Sequence, residues 1–70
     1  MPNNIKALRQ LRGMSMAELA DTVGIRPPTI YKYEHDICSP SLSTAGRLAQ
    51  ALHCSMGQLM GLEPIEEDTA

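Results

Sequence analysis

Arg26, Pro27, Pro28, Tyr31 and Lys32 place two cations, two apolar rings and a phenol within one short stretch. A guanidinium or an ammonium can donate to guanine O6 and N7 or to phosphate oxygens, and a proline ring can touch a thymine methyl group. That is the chemistry of reading base edges. Chemistry that breaks bonds is harder to find. No Ser/His/Asp arrangement, glycine-rich phosphate loop or pair of catalytic carboxylates stands out, so an enzyme is not expected. His35 and Cys38 have H-x-x-C spacing and His53-Cys54 adds two more metal-ligand types. Adjacent His and Cys rarely chelate one ion together, so neither a metal nor another cofactor is expected.

The residues around this stretch must position it. Ser15 and Glu18 form an S-x-x-E capping box that starts a helix, and Leu19, Ala20 and Val23 give that helix one apolar face. Gly24 stands where the helix must stop, because glycine takes the left-handed conformation at low cost. Ile25 plugs the turn. Pro27 suits the first position of a second helix, which runs from Pro27 to about Glu34 with Ile30 as its apolar anchor. Two short helices, a tight Gly-containing turn and a polar second helix describe a helix-turn-helix. Elsewhere, Asn3 or Asn4 can cap a first helix reaching Arg12, which Gly13 ends. A loop spans His35 to Pro40. Ser41 caps a fourth helix from Leu42 to about Leu52, and Ser55 with Gln58 caps a short fifth helix ending near Gly61.

The chain resembles the lambda-repressor/Cro-like, XRE-type helix-turn-helix family over nearly its whole length. The matching residues are Ile5, Leu8, Arg9, Gly13, Ser15, Glu18, Leu19, Ala20, Gly24, Ile25, Thr29, Ile30, Tyr33, Glu34, Pro40, Ser41, Leu42, Leu48, Ala49, Leu52, Ser55 and Leu59. The resemblance implies an all-α, compact five-helix DNA-binding domain whose third helix enters the major groove. It assigns base reading to Arg26, Pro27, Pro28, Tyr31 and Lys32, and phosphate contact to Ser15, Met16, Ala17, Thr29 and His35. It also implies a partly buried ion pair between Arg9 and Glu34; two independent surface charges are the other reading. The chain departs from the family at Met16, where many members have Gln, at Pro27 and Pro28, where Gln, Ser or Arg is common, and in a loop that lacks the usual Lys or Arg. Pro27 and Pro28 either start a helix or add thymine contacts. Lys32 is either a solvated charge or a DNA contact. Tyr33, three residues after Ile30, reads as core.

Composition limits the rest. Seventy residues allow one domain and a small core, built without Phe or Trp. The net charge of −2 is unevenly placed. Lys6, Arg9, Arg12, Arg26, Lys32 and Arg47 outnumber Glu18, Asp21, Glu34 and Asp36 in residues 1–62, whereas Glu63, Glu66, Glu67 and Asp68 make residues 63–70 acidic. Lys6, Arg9 and Arg12 are candidate neighbours of the DNA face. We expect a DNA-binding domain over 1–62 and an acidic disordered tail over 63–70. No apolar run approaches the ~18 residues of a membrane span and no signal-peptide pattern opens the chain, so a cytoplasmic protein with free thiols and no membrane partner is expected. The expected function is sequence-specific transcriptional regulation, repressor-like, on double-stranded DNA as a homodimer. The alternative is a protein-interaction module on the same fold, with a protein partner in place of DNA.

Overall fold

Every helix contributes to one apolar cluster: Ile5 and Leu8, then Leu19, Ala20 and Val23, then Ile30, then Ala45, Leu48 and Ala49, with Leu52 and Leu59 closing it. The computed structural model describes residues 3–65. Their helices are α1 (Ile5–Leu11), α2 (Met16–Val23), α3 (Pro27–Glu34), α4 (Leu42–Ala51) and α5 (Met56–Leu59), and no strand occurs among the described residues. The domain is all-α. Helix α2 packs against both α3 and α4, α4 against α5, and α1 against α3. Tyr33 is half-buried against the same core, as its spacing from Ile30 predicts.

Local chemistry sets the helix starts. The Ser15 hydroxyl accepts the Glu18 N–H at 3.0 Å, and the Glu18 carboxylate accepts the Ser15 N–H at 2.9 Å. Ser55 and Gln58 repeat this reciprocal pair at α5. Ser41 caps α4 by accepting the Thr44 N–H. Helix α3 has no side-chain cap; its first two positions are prolines, which have no N–H to satisfy. At the start of α1, Asn4 occupies the cap position without a side-chain bond to the helix, and the Asn3 side chain accepts the Ile5 N–H instead. Helices α1 and α4 each stop one residue before the sequence-based expectation, at Leu11 and Ala51.

The acidic tail is expected to begin at residue 63, and its first three residues make defined contacts. Glu63, Pro64 and Ile65 lie against the domain. The Ser55 hydroxyl donates to Glu63 Oε1 at 2.6 Å, the Gln58 amide donates to the Pro64 carbonyl at 3.2 Å, and Ile65 packs on the core cluster. Gly57 makes room for this, because a β-carbon there would fall 2.5 Å from Glu63 Oε1. The acidic composition of the segment concealed one apolar side chain and two hydrogen-bonding partners on α5. Residues 66–70 lie outside the described residues, and with them the remainder of the expected tail.

Two glycines test the backbone account with opposite signs. Gly24 ends α2 at φ 81°, its N–H donating to the Ala20 carbonyl. Gly46 lies inside α4, and its β-carbon position is open. Gly24→Ala should therefore cost about 1–2 kcal/mol, since the left-handed conformation remains obligatory. Gly46→Ala should add about 0.5–1 kcal/mol through helix propensity and a less disordered unfolded chain. Urea denaturation of both variants measures the two changes.

Candidate nucleic-acid interface

Helix α3 divides cleanly between inside and outside. Ile30 is buried, Tyr33 is half-buried, and Arg26, Pro27, Pro28, Tyr31 and Lys32 are exposed. Thus the five residues expected to read bases share one helix and its extended N-cap, and all reach solvent. Among those expected at phosphates, Ser15, Ala17 and His35 are exposed, whereas Thr29 and Met16 are half-buried. Met16 also packs on the core, so its side chain serves the fold and leaves its main chain to face outward chemistry. The rings of Tyr31 and His35 stack at 4.1 Å with a 34° tilt, one turn apart along the helix.

The two helix starts differ electrostatically. Pro27 and Pro28 remove two of the amide donors that a helix N-terminus normally offers an anion. Helix α2 keeps such donors. There the capping box already occupies the Ser15 and Glu18 amides, leaving the first-turn amides of Met16 and Ala17 without intrahelical partners. The Ser15 amide and hydroxyl hold the Glu18 carboxyl below its ordinary value. Glu18 therefore remains ionised at neutral pH, and the capping contribution is lost as pH falls through that lowered value.

Three of the arginines donate to main-chain carbonyls of other segments. Arg9 Nε donates to Glu34 Oε2 at 2.7 Å and Nη2 to Oε1 at 3.3 Å, while Nη1 donates to the Met14 carbonyl at 2.9 Å. The Arg9 side chain is 9% exposed and the Glu34 side chain 0%. Arg12 donates to the Leu52 and His53 carbonyls at 2.8 and 2.9 Å, capping the end of α4. Arg47 donates to the Val23 carbonyl at 3.2 Å, at the end of α2. Cations near helix C-termini satisfy carbonyls that have no helical partner. Arg9 and Arg12, expected as neighbours of the DNA face, are thus committed to the fold. Lys6, Arg26 and Lys32 are exposed. The sequence hint of this role is positional: Arg12 immediately follows α1, but its acceptors are forty residues away.

The thiols differ in access. Cys38 is exposed in the loop after α3, and Cys54 is half-buried with its thiol pushed up by burial, partly opposed by Arg12. Among the described residues, no three His, Cys, Asp or Glu side chains gather as metal ligands would. No described helix is long and apolar enough to cross a membrane.

This geometry has close counterparts among known proteins. A helix-turn-helix family model matches residues 5–59. Antitoxin HipB of Escherichia coli is 36% identical over 56 residues, covering 80% of this chain and 60% of HipB. A putative HTH-type transcriptional regulatory protein of Methanocaldococcus jannaschii is 29% identical over 65 residues, 91% of this chain and 20% of that protein. The crystal structure of a hypothetical transcription factor from Neisseria superposes with a TM-score of 0.74 at 27% identity, covering 81% of this chain and 66% of that one. The chain belongs to the XRE-type helix-turn-helix family of DNA-binding transcription regulators. It spans between a fifth and two thirds of the length of these relatives.

The Arg9–Glu34 geometry gives a quantitative expectation. Glu34→Ala should cost about 3 kcal/mol, because it leaves a mostly buried guanidinium without its carboxylate. Arg9→Ala should cost a similar amount, and the double variant clearly less than the two together. Urea melts of the three variants decide this; additive losses below about 1 kcal/mol would describe an ordinary surface pair.

Proposed function

We propose that this chain is a sequence-specific, repressor-like transcriptional regulator that lays α3 in the major groove and binds a two-fold operator as a dimer. It acts by binding rather than by catalysis. The observation that carries the reading is the exposed face of α3, from Arg26 to Lys32, on a helix whose end is held by Arg9 to the turn that precedes α2. In this reading the Met16 and Ala17 amides meet a phosphate, with Ser15, Thr29 and His35 beside them. Arg26 and Lys32 reach guanines or phosphates, and Pro27, Pro28 and Tyr31 present apolar surface to thymine methyl groups. The domain itself extends to Ile65, and a cytoplasmic location is part of the proposal.

A protein partner is the second reading. Ile37 in the loop after α3 and Leu42 at the start of α4 are 63% and 81% exposed. An antitoxin acts against a toxin, and carrying that relation over from HipB makes a protein the natural competitor of DNA.

Selection from a random duplex library at stated salt separates the readings. With Arg26 of each subunit on phosphate and Lys32 on a base, a dimer would neutralise roughly two phosphates through α3, for a log–log salt slope of about −2; Lys32 on phosphate as well would bring the slope to about −4. Enriched half-sites should lie about one helical turn apart, ~34–36 Å. Failure to enrich any sequence, with salt-insensitive binding to a protein instead, would reject the DNA reading.

Two substitutions on α3 resolve its roles. Pro28→Gln should change which base is preferred, since a carboxamide can pair with adenine N6 and N7. Lys32→Ala should relax one operator position at a cost of about 1–3 kcal/mol. A uniform loss over all sequences, with the salt slope reduced by about one per subunit, would move Lys32 to phosphate. Unchanged binding in both variants would remove α3 from the interface.

A further inference from the structure

Two adjacent asparagines at the start of α1 hold different parts of the molecule. The Asn4 N–H donates to the Leu59 carbonyl at 3.0 Å, and its side-chain amide donates to the Gln58 carbonyl at 2.9 Å, so Asn4 is tied to α5. Asn3 turns toward α3. Its Oδ1 accepts the Ile5 N–H at 3.0 Å, which directs Nδ2 away from α1. Nδ2 then donates to the Tyr33 carbonyl at 2.8 Å and to Asp36 Oδ1 at 3.2 Å. Tyr33 lies in the last turn of α3, where carbonyls have no helical partner. Asp36 is a non-glycine residue at φ 56° in the turn by which the chain leaves that helix, and its own N–H also donates to the Tyr33 carbonyl. One carboxamide therefore joins the start of α1, the end of α3 and the turn beyond it.

This tie differs in kind from the Arg9–Glu34 pair. That pair holds a side chain of α3, whereas Asn3 holds its main chain. Tyr33 and Pro27 lie three residues on either side of Ile30, the buried residue on which the helix rests. Play at Tyr33 pivots about Ile30 and reappears in the opposite sense at Pro27. A displacement of about 1 Å is enough to spoil directional contacts.

We propose that Asn3 is a positioning residue for the base-reading end of α3, acting from the opposite end of the helix without touching DNA. This rests on the reading of α3 as the DNA-contacting helix. Its consequence is selective. Non-specific attraction depends on charge and tolerates a small tilt, whereas base contacts do not.

The test compares the full chain with its Asn3→Ser, Asn3→Asp and Asn4→Ala variants. Binding is measured to the duplex selected by the wild type and to a scrambled duplex, at a temperature where circular dichroism shows each protein folded. Serine and aspartate both keep an acceptor for the Ile5 N–H, so α1 retains its start. Serine is too short to reach Tyr33, and aspartate turns a carboxylate toward the Tyr33 carbonyl and the Asp36 carboxylate. Asn3→Ser should weaken binding to the selected duplex about tenfold and to the scrambled duplex by less than about twofold. Asn3→Asp should lower the same ratio further. Asn4→Ala should leave the ratio unchanged, although it also loses a long-range bond. An unchanged ratio in both folded Asn3 variants, or an equal fall in Asn4→Ala, would overturn the proposal and make Asn3 a structural tie only. Failure of the wild type to select any duplex would instead reject the reading of α3, and this proposal with it.

Discussion

The Arg9 guanidinium holds together the two regions that must move as one if this domain is to read DNA. It grips the Glu34 carboxylate at the end of α3 and the Met14 carbonyl just before α2. The amide-bearing start of one helix and the exposed face of the next are thus referred to the same rigid side chain. Desolvating two such charges offsets most of their mutual attraction, so a pair like this adds little stability over an apolar substitute of the same shape. Its effect lies in direction: a planar fork against a planar carboxylate admits few geometries. The apolar cluster beneath supplies the cohesion, and Arg9 selects which orientation of α3 that cohesion stabilises.

The same economy explains the weak positive field of the domain. Arg9, Arg12 and Arg47 each donate to main-chain carbonyls, two of them at the ends of α4 and α2. Small helical domains have many helix ends per residue, and every C-terminal end leaves carbonyls that need donors. The Arg12 and Arg47 guanidiniums meet part of that need and Arg9 is held by Glu34 and Met14, which leaves Arg26 as the arginine of the exposed α3 face. Counting basic residues in the sequence therefore overstates the charge available to a polyanion. Pro27 and Pro28 act in the same direction, replacing two amide donors with apolar rings. If α3 is the reading head, as proposed, this composition makes it draw more of its selectivity from shape and apolar contact than from charge.

What could be read from sequence was what is local. The Ser15–Glu18 and Ser55–Gln58 boxes, Gly24 after α2 and Pro27 at the start of α3 each depend on residues within one helical turn, and all form as the spacing predicts. Matching residues spread from Ile5 to Leu59 gave the five-helix architecture. Long-range polar ties were hidden. Arg12 finds its carbonyls forty residues on, Asn3 finds Tyr33 thirty residues on, and no periodicity announces either. The contacts of Glu63 to Ile65 were hidden for a related reason: the acidic composition around Pro64 describes a solvated segment on average and does not show that Ile65 meets the core or that Ser55 and Gln58 hydrogen-bond to it. Exposure of Arg26 to Lys32 followed from the helical period around Ile30, whereas the commitment of Arg9 and Arg12 to main-chain carbonyls did not follow from any spacing.

Whether the face of α3 held by Arg9 meets DNA can be read residue by residue. Amide chemical shifts of the isotopically labelled chain, followed during titration with its selected duplex, report which groups change environment. A DNA-contacting α3 requires that the largest changes fall on the amides of Met16 and Ala17 and along the helix from Thr29 to Lys32, with α5 nearly silent apart from any contact between subunits. Large changes centred on Ile37 and Leu42, with the start of α2 and the outer face of α3 undisturbed, would contradict it.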